Sequence, residues 1–250
     1  MTLLKLEQYL KLDREYALKY DFYLEQSSKD CDRVPLMLEI YKKAFNINHI
    51  EHLPNSGDTM NTYRSKIYLD IKTFPKEEFD LTNRKRRSFN NLKNKNKALN
   101  IIIKNSSVNK DHIFIDRNGF VNNNYQLGNF IVLPTQTIAI GKKHSSINTE
   151  RAISPNYDIF SKYLRDVYLF MTGNGGKIEN KNLYYLFELN KNYYLQFRSF
   201  DNYIKENFLE DYFNGNGLID LYNMDFEKYC FTINEIIKKR SIKIMNKLVK

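Results

Sequence analysis

The chain has 250 residues, 42% hydrophobic and 27% charged, which is the composition of a folded globular protein rather than a disordered or fibrous one. It lacks the ~20 consecutive apolar residues that a membrane-spanning helix needs. The net charge of +10 favours an acidic partner. Cys31 and Cys230 lack metal-ligand or redox-motif spacing, which favours free thiols in a reducing compartment, so we predict a cytoplasmic protein.

The first third of the chain predicts helices followed by a strand. An amphipathic pattern predicts a helix from Leu3 to about Leu18. A second helix is predicted to begin at Pro35, because proline suits a first helical turn and the residues that follow form an apolar stripe. Pro54 and Gly57 interrupt the chain, and "MNTYRSKIYLDIKTF" (60–74) then alternates with the period of a strand.

The positive charge is concentrated between Leu81 and Lys110, where nine lysines and arginines occur without an acidic residue. The predicted nucleic-acid-binding residues here are Arg84, Lys85, Arg86, Arg87, Lys93, Lys95 and Lys97. Such concentrated charge favours a polyanion partner. The alternative is a solvated helix surface in a lysine-rich protein. A helix is predicted from Leu92, and Asn118-Gly119 favours a tight hairpin turn.

A buried strand is predicted in "NFIVLP", ending at Pro134, and a polar loop rich in hydrogen-bond donors follows it. The loop residues predicted to bind an anion are Lys142, Lys143, Asn148 and Arg151. Arginine can contact a phosphate or carboxylate through two nitrogens, and a helix N-terminus also favours an anion. The alternative is that Asn148 and Arg151 connect the loop to the core through backbone carbonyls.

The remainder predicts helices. Ser154-Pro155 predicts the start of one that runs to about Met171. Further helices are predicted over 181–189, 193–213 and 225–248, with "NGNG" at 214–217 separating the last two. We therefore predict a single α+β domain over 1–250, predominantly helical, with a small antiparallel sheet or hairpin packed on a helical C-terminal half. Its mixed α/β part covers about 1–135 and its helical part about 150–250.

Two histidines offer a candidate catalytic centre. His49 and His52 are three residues apart, a spacing that on a helix puts both imidazoles on one face, where they could bind a divalent metal or activate a water. "IEHLP" and "LGNFIVLP" resemble the signature stretches of the HNH-like domain of modification-dependent restriction endonucleases. That resemblance implies a metal-dependent nuclease in which His52 is the base and Asn129 orients it. A second nuclease hypothesis uses Asp58 with Asp70-x-Lys72. In this hypothesis the carboxylates of Asp58 and Asp70 bind Mg²⁺.

A broader resemblance covers most of the chain. "LGNFIVLP", "IGKKHSSINTERA" and "DIFSKYLRDVYLFM" resemble the central signature, G-x-F-x-x-L-P followed by I-N-x-x-R, of a family of uncharacterised bacterial proteins with a domain of unknown function. The family usually has glycine after the arginine, where this chain has Ala152. The resemblance implies a fold and no mechanism.

Three functions follow from these observations. The first is a nucleic-acid-associated binding or regulatory protein that uses the basic segment. The second is the HNH-like nuclease, with a divalent metal as cofactor and a role in phage defence. The third is a protein-interaction component of a defence or toxin system, which requires a protein partner. No membrane partner is predicted.

Overall fold

The structure, a computed structural model, describes residues 4–22, 34–45, 57–61, 66, 125–141, 143–152 and 159–250. Within these ranges the helices are α1 (Leu6–Tyr9), α2 (Arg14–Lys19), α3 (Pro35–Ala44), α4 (Ile147–Arg151), α5 (Phe160–Met171), α6 (Lys181–Leu189), α7 (Lys191–Leu195), α8 (Phe200–Glu206) and α9 (Phe226–Leu248). The strands are β1 (Gly57–Thr59), β2 (Phe130–Val132), β3 (Ile138–Ile140), β4 (Lys143–Ser145), β5 (Phe213–Asn214) and β6 (Gly217–Leu218). The predicted class, a predominantly helical α+β fold with small antiparallel sheets, is confirmed.

β2 is the centre of the described structure. It pairs antiparallel with β1, so that Asp58 lies opposite Ile131 and Thr59 opposite Phe130. All three β2 residues are buried. Since successive side chains of a strand point to opposite faces, β2 contributes to two hydrophobic cores. Ile131 belongs to a first core, and Phe130 and Val132 belong to a second.

The first core is formed mainly by α5, α6, the segment around α7 and α8, and the N-terminal part of α9. The second core is formed by α1, α2 and α3 with the C-terminal part of α9. α9 therefore spans both cores, with Ile233 and Ile237 in the first and Ile244 and Leu248 in the second. A 3-10 helix over Leu127–Asn129 precedes β2 and packs against α9.

Several predicted helices are confirmed, and the structure shows how each of them begins. α3 begins with Pro35 in its first turn and buries the predicted stripe, including Leu36, Ile40 and Tyr41. α6 has the predicted bounds, and the Asn180 side chain accepts hydrogen bonds from two backbone N–H groups of its first turn. Asp225 likewise caps α9 by accepting a hydrogen bond from the Lys228 N–H.

Two predicted helices are wrong in their extent. The helix predicted over 193–213 is divided, because Arg198 and Phe208 have positive φ angles of 65° and 57°, a conformation that does not continue a right-handed helix. "NGNG" forms the turn of the β5–β6 hairpin. The helix predicted from Leu3 to Leu18 is two short helices, with Asp13 capping the second through the N–H groups of Glu15 and Tyr16.

The predicted polar loop after Pro134 also contains more secondary structure than its sequence indicates. It contains the β3–β4 hairpin, with Ile140 paired to Lys143 across a two-residue turn, and then the short helix α4. Gly141 in that turn has a φ of 59°, which glycine adopts without strain.

Some predictions lie outside the described residues or are not tested by them. The helix predicted from Leu92 and the hairpin predicted at Asn118-Gly119 lie outside the described residues. The strand predicted over 60–74 is described only at Met60, Asn61 and Lys66, and at these three residues it is wrong, because none of them lies in a strand. The division into parts near residues 135 and 150 stays a prediction. Among the described helices, none has the length and apolar character required to cross a membrane.

Candidate functional site

Asn129 lies at the end of the 3-10 helix, fully buried beside the β1–β2 ladder. Its side-chain Oδ1 accepts a hydrogen bond from the Asn61 N–H at 3.0 Å, and its Nδ2 donates to the Asn61 carbonyl at 2.8 Å. Its backbone carbonyl accepts from the Met60 N–H at 2.6 Å. The Asn129 amide thus pairs with the backbone of Asn61 as a neighbouring strand would, and it continues the ladder beyond Thr59.

The amide of Asn61 continues this network into the first core. Its Nδ2 donates a short hydrogen bond to the Tyr212 hydroxyl, and both residues are buried. Burying an amide without hydrogen bonds is costly, so such a chain of bonds holds Asn61, Asn129 and Tyr212 in one arrangement. We infer that Asn129 supports the fold at the centre of the molecule.

Arg151 lies at the end of α4 and reaches the β1 strand. One Nη donates to the Thr59 carbonyl at 2.9 Å and to Asp58 Oδ2 at 3.2 Å, while Nε donates to Asn148 Oδ1 at 3.2 Å. The guanidinium also lies 5.9 Å from the centre of the Tyr163 ring. The Arg151 side chain is only 6% exposed. The arginine therefore connects the loop to the core through a backbone carbonyl, which is the alternative that the sequence left open.

Asn148 and Arg151 act as one unit, because the Asn148 side-chain oxygen Oδ1 orients the guanidinium from one turn away. Asp58 completes this group as its partly exposed member, with 27% of its side chain accessible. Its accessible carboxylate surface can accept hydrogen bonds from solvent or a ligand. In the described part of the chain, no three His, Cys, Asp or Glu side chains are close enough to share a metal ion.

A second buried network holds α4 through Glu150, the residue before Arg151. The Ser145 hydroxyl donates a short hydrogen bond to Glu150 Oε1, and Asn180 Nδ2 donates to Glu150 Oε2 at 3.1 Å and to the Glu150 carbonyl at 3.2 Å. Because Asn180 also caps α6, it connects the β4–α4 turn to the first core. Glu150 was not predicted, and the only local signal for it is its position in the first turn after the Ser146 cap.

Arg240 is a further buried cation that the sequence did not indicate. It lies in the middle of α9, fully buried, where Nε donates to the Asn207 carbonyl at 3.0 Å. One Nη donates to the carbonyls of Gly128 and Phe130 at 2.9 and 2.5 Å. The guanidinium lies 5.6 Å from the centre of the Phe45 ring. Burial lowers the pKa of Arg240 from its ordinary value to about 10.

The remaining predicted site residues fall into two groups. Lys143 and His144 are exposed on β4 of the hairpin, away from the buried networks. Outside the described residues lie the predicted metal and catalytic histidines, Lys142 and the basic segment: His49, His52, Lys142, Arg84, Lys85, Arg86, Arg87, Lys93, Lys95 and Lys97. The structure thus brings together Asp58, Asn148 and Arg151, with Asn129 in the 3-10 helix that precedes β2. The histidine centre stays a prediction.

Comparisons with known proteins place the chain in a family. No curated protein and no solved structure matches it significantly. The model of a family of unknown function (DUF6994) matches residues 16–244, which include the first core, most of the second core and the networks around Asn129, Arg151 and Arg240. The expected membership in a family with a domain of unknown function is confirmed: the chain belongs to the DUF6994 family.

Proposed function

We propose that the protein binds nucleic acid through its basic segment, residues 84–104. This proposal is based on where the positive charge lies along the chain. Nine lysines and arginines, and no acidic residue, lie between Leu81 and Lys110. The rest of the chain has 30 lysines and arginines and 29 acidic residues. Outside this segment the chain is almost neutral. A charge so concentrated supports a polyanion partner, because each phosphate contact releases condensed counterions.

The β3–β4 hairpin supports the same proposal with a second basic surface. Ile138 and Ser145 pair at its base, where they are half-buried and buried. Ile140 and Lys143 pair on the same face at its tip, and both are exposed. The tip therefore extends beyond the core, and it presents Lys143 and His144 to solvent.

Asn148 and Arg151 have a structural role in this proposal and do not bind the nucleic acid. The contacts of the Arg151 guanidinium to Thr59, Asp58 and Asn148 occupy donors that a phosphate would need. We therefore assign these two residues to holding the hairpin against the core, and the exposed hairpin tip to contact with nucleic acid.

The experiment is a binding titration of labelled single- and double-stranded DNA and RNA at several salt concentrations. Replacing Arg84, Lys85, Arg86 and Arg87 with Gln should weaken binding of all sequences alike. It should also reduce the slope of log affinity against log salt by roughly 3.6 for duplex DNA, because four phosphate contacts are lost. Fluorescence anisotropy measures both quantities.

A matched variant controls for net charge. Replacing Lys177, Lys181, Lys191 and Lys205 with Gln removes four charges from exposed positions on the helical part. It should change the salt slope far less than the first variant does. An equal effect of the two variants would contradict a localised interface. Absence of binding by the wild-type protein even at low salt would overturn the proposal and favour the protein-interaction alternative.

A further inference from the structure

An open cleft of about 340 Å³ lies between α5 and the segment that follows β6. One wall is formed by Ser161, Lys162 and Arg165 of α5, and the other by Asp220, Tyr222 and Asn223. Leu218 and Ile219 contribute apolar surface. This volume is within the range of small-ligand sites, which combine apolar lining with a few oriented polar groups. The cleft is separate from the networks around Asn129 and Arg151.

The α5 wall is positively charged. Arg165 is exposed, and among the residues that the structure describes it makes no hydrogen bond or ion pair. Lys162 reaches Glu179 at 3.4 Å, but the Glu179 side chain is 64% exposed, so this contact is weak and readily exchanged. Two cations on adjacent turns of one helix can hold an anion, and the guanidinium can do so through two nitrogens.

The opposite wall is held in place by its own hydrogen bonds. Asp220 accepts from the Asn223 N–H at 3.2 Å and from Asn223 Nδ2 at 2.6 Å, so its carboxylate is engaged within the loop. The buried Lys66 ammonium donates to the Tyr222 carbonyl at 3.2 Å. Tyr222 is 40% exposed and lines the cleft. An aromatic ring on a restrained loop offers a surface for stacking a planar group.

We propose that this cleft binds a small phosphorylated ligand with a planar ring, of the chemical class of a nucleoside monophosphate. The phosphate lies against Lys162 and Arg165, and the ring lies against Tyr222 and the apolar surface of Leu218 and Ile219. The positively charged wall favours an anionic ligand. The aromatic ring of Tyr222 favours a phosphorylated ligand that carries a planar ring over inorganic phosphate. This site does not depend on the basic segment or on nucleic-acid binding.

The test uses the full chain and isothermal titration calorimetry. Adenosine monophosphate should bind more tightly than either inorganic phosphate or adenosine, because only the nucleotide occupies both sides of the cleft. Arg165→Gln should weaken nucleotide binding about tenfold, since a charge-assisted hydrogen bond is lost. Tyr222→Leu should weaken nucleotide binding about fivefold and leave phosphate binding unchanged.

Lys205→Gln is the matched control, because Lys205 is exposed on α8 and does not line the cleft. It should bind adenosine monophosphate as the wild type does, and thermal melting should show all three variants folded. No nucleotide binding at millimolar concentration, or unchanged binding in both cleft variants, would overturn the proposal. Neither result bears on the basic segment, whose own test uses long nucleic acids and different residues.

Discussion

At the scale of single residues, the buried polar side chains carry most of the information about this fold. Arg240 is an example, because its guanidinium is bonded to backbone carbonyls, with no carboxylate bonded to it in the described part of the chain. Placing a charge inside a core is costly, and the lowered pKa of Arg240 reflects that cost. Arg240 offsets this cost by donating hydrogen bonds to the backbone carbonyls of Gly128, Phe130 and Asn207, which come from two separate segments of the chain.

Replacement of Arg240 tests this role. Arg240→Met keeps most of the volume but leaves three buried carbonyls without their donor, while it removes the cost of burying the charge. We expect the free energy of unfolding to fall by about 3 kcal/mol, measured by urea denaturation. Lys239→Met, at an exposed neighbouring position, should change it by less than about 0.5 kcal/mol. Equal stability of the Arg240 variant and the wild type would contradict a net stabilising role for the Arg240 hydrogen bonds.

At the scale of elements, the close contact between the 3-10 helix and α9 determines where β2 lies. Gly128 permits it, because a Cβ atom at this position would lie 1.9 Å from the Ile237 carbonyl oxygen. The Gly128 N–H also donates to the Ser241 hydroxyl at 2.8 Å. This glycine therefore has a packing role, and the segment "LGNF" combines it with the buried amide of Asn129.

Gly128→Ala tests the close approach. The added methyl group forces the segment away from α9, and both the Ser241 and Arg240 hydrogen bonds are strained with it. We expect a loss of about 3 kcal/mol in the free energy of unfolding, from thermal or urea denaturation. Gly176→Ala is the control, because a Cβ atom there meets no other atom within 4 Å. A Gly128 variant as stable as this control would contradict the packing role.

At the scale of the whole molecule, the two cores share β2 and α9, and buried tyrosines lie in the first core. Tyr163, Tyr194 and Tyr203 are almost fully buried, and the Tyr163 and Tyr194 hydroxyls lie 3.1 Å apart. Burial raises the pKa of all three phenols above the ordinary value of 10. Their neutral form is therefore favoured by folding.

This arrangement predicts unfolding in alkali. Above pH 10 the unfolded chain loses phenolic protons that the folded chain keeps, so its stability falls as pH rises, by about 1.4 kcal/mol per pH unit for each phenol. Arg240 acts in the opposite direction, because its lowered pKa lets the folded state lose a proton first. Three phenols outweigh this one group. Tyrosinate absorbance and circular dichroism against pH should therefore change together.

Tyr203→Phe provides the comparison for this prediction. It removes one buried phenol, so the decline of the free energy of unfolding above pH 10 should become shallower by about 1.4 kcal/mol per pH unit. Tyr168→Phe, at an exposed position, should leave that slope nearly unchanged. Equal slopes for Tyr203→Phe and the wild type above pH 10 would show that this buried phenol does not limit alkaline stability.

Local sequence signals predicted the elements whose determinants are close along the chain. Proline in a first turn and helical periodicity within a few residues predicted the Pro35 start of α3, the end of α5 at Met171 and the bounds of α6 and α9. The helix over 193–213 was wrong for a related reason. Its apolar pattern is compatible with a helix, and only packing imposes the positive φ angles at Arg198 and Phe208.

The sequence by itself determined the fold class, the main helices, the buried strand after Asn129 and the concentration of charge between residues 81 and 110. Only the tertiary structure decided which side chains meet. Arg151 and Asp58 are 93 residues apart, Asn129 and Asn61 are 68 apart, and Arg240 and Gly128 are 112 apart. Such partners leave no periodic pattern, because a buried polar group takes whichever donor or acceptor the packing of both cores brings within hydrogen-bond distance.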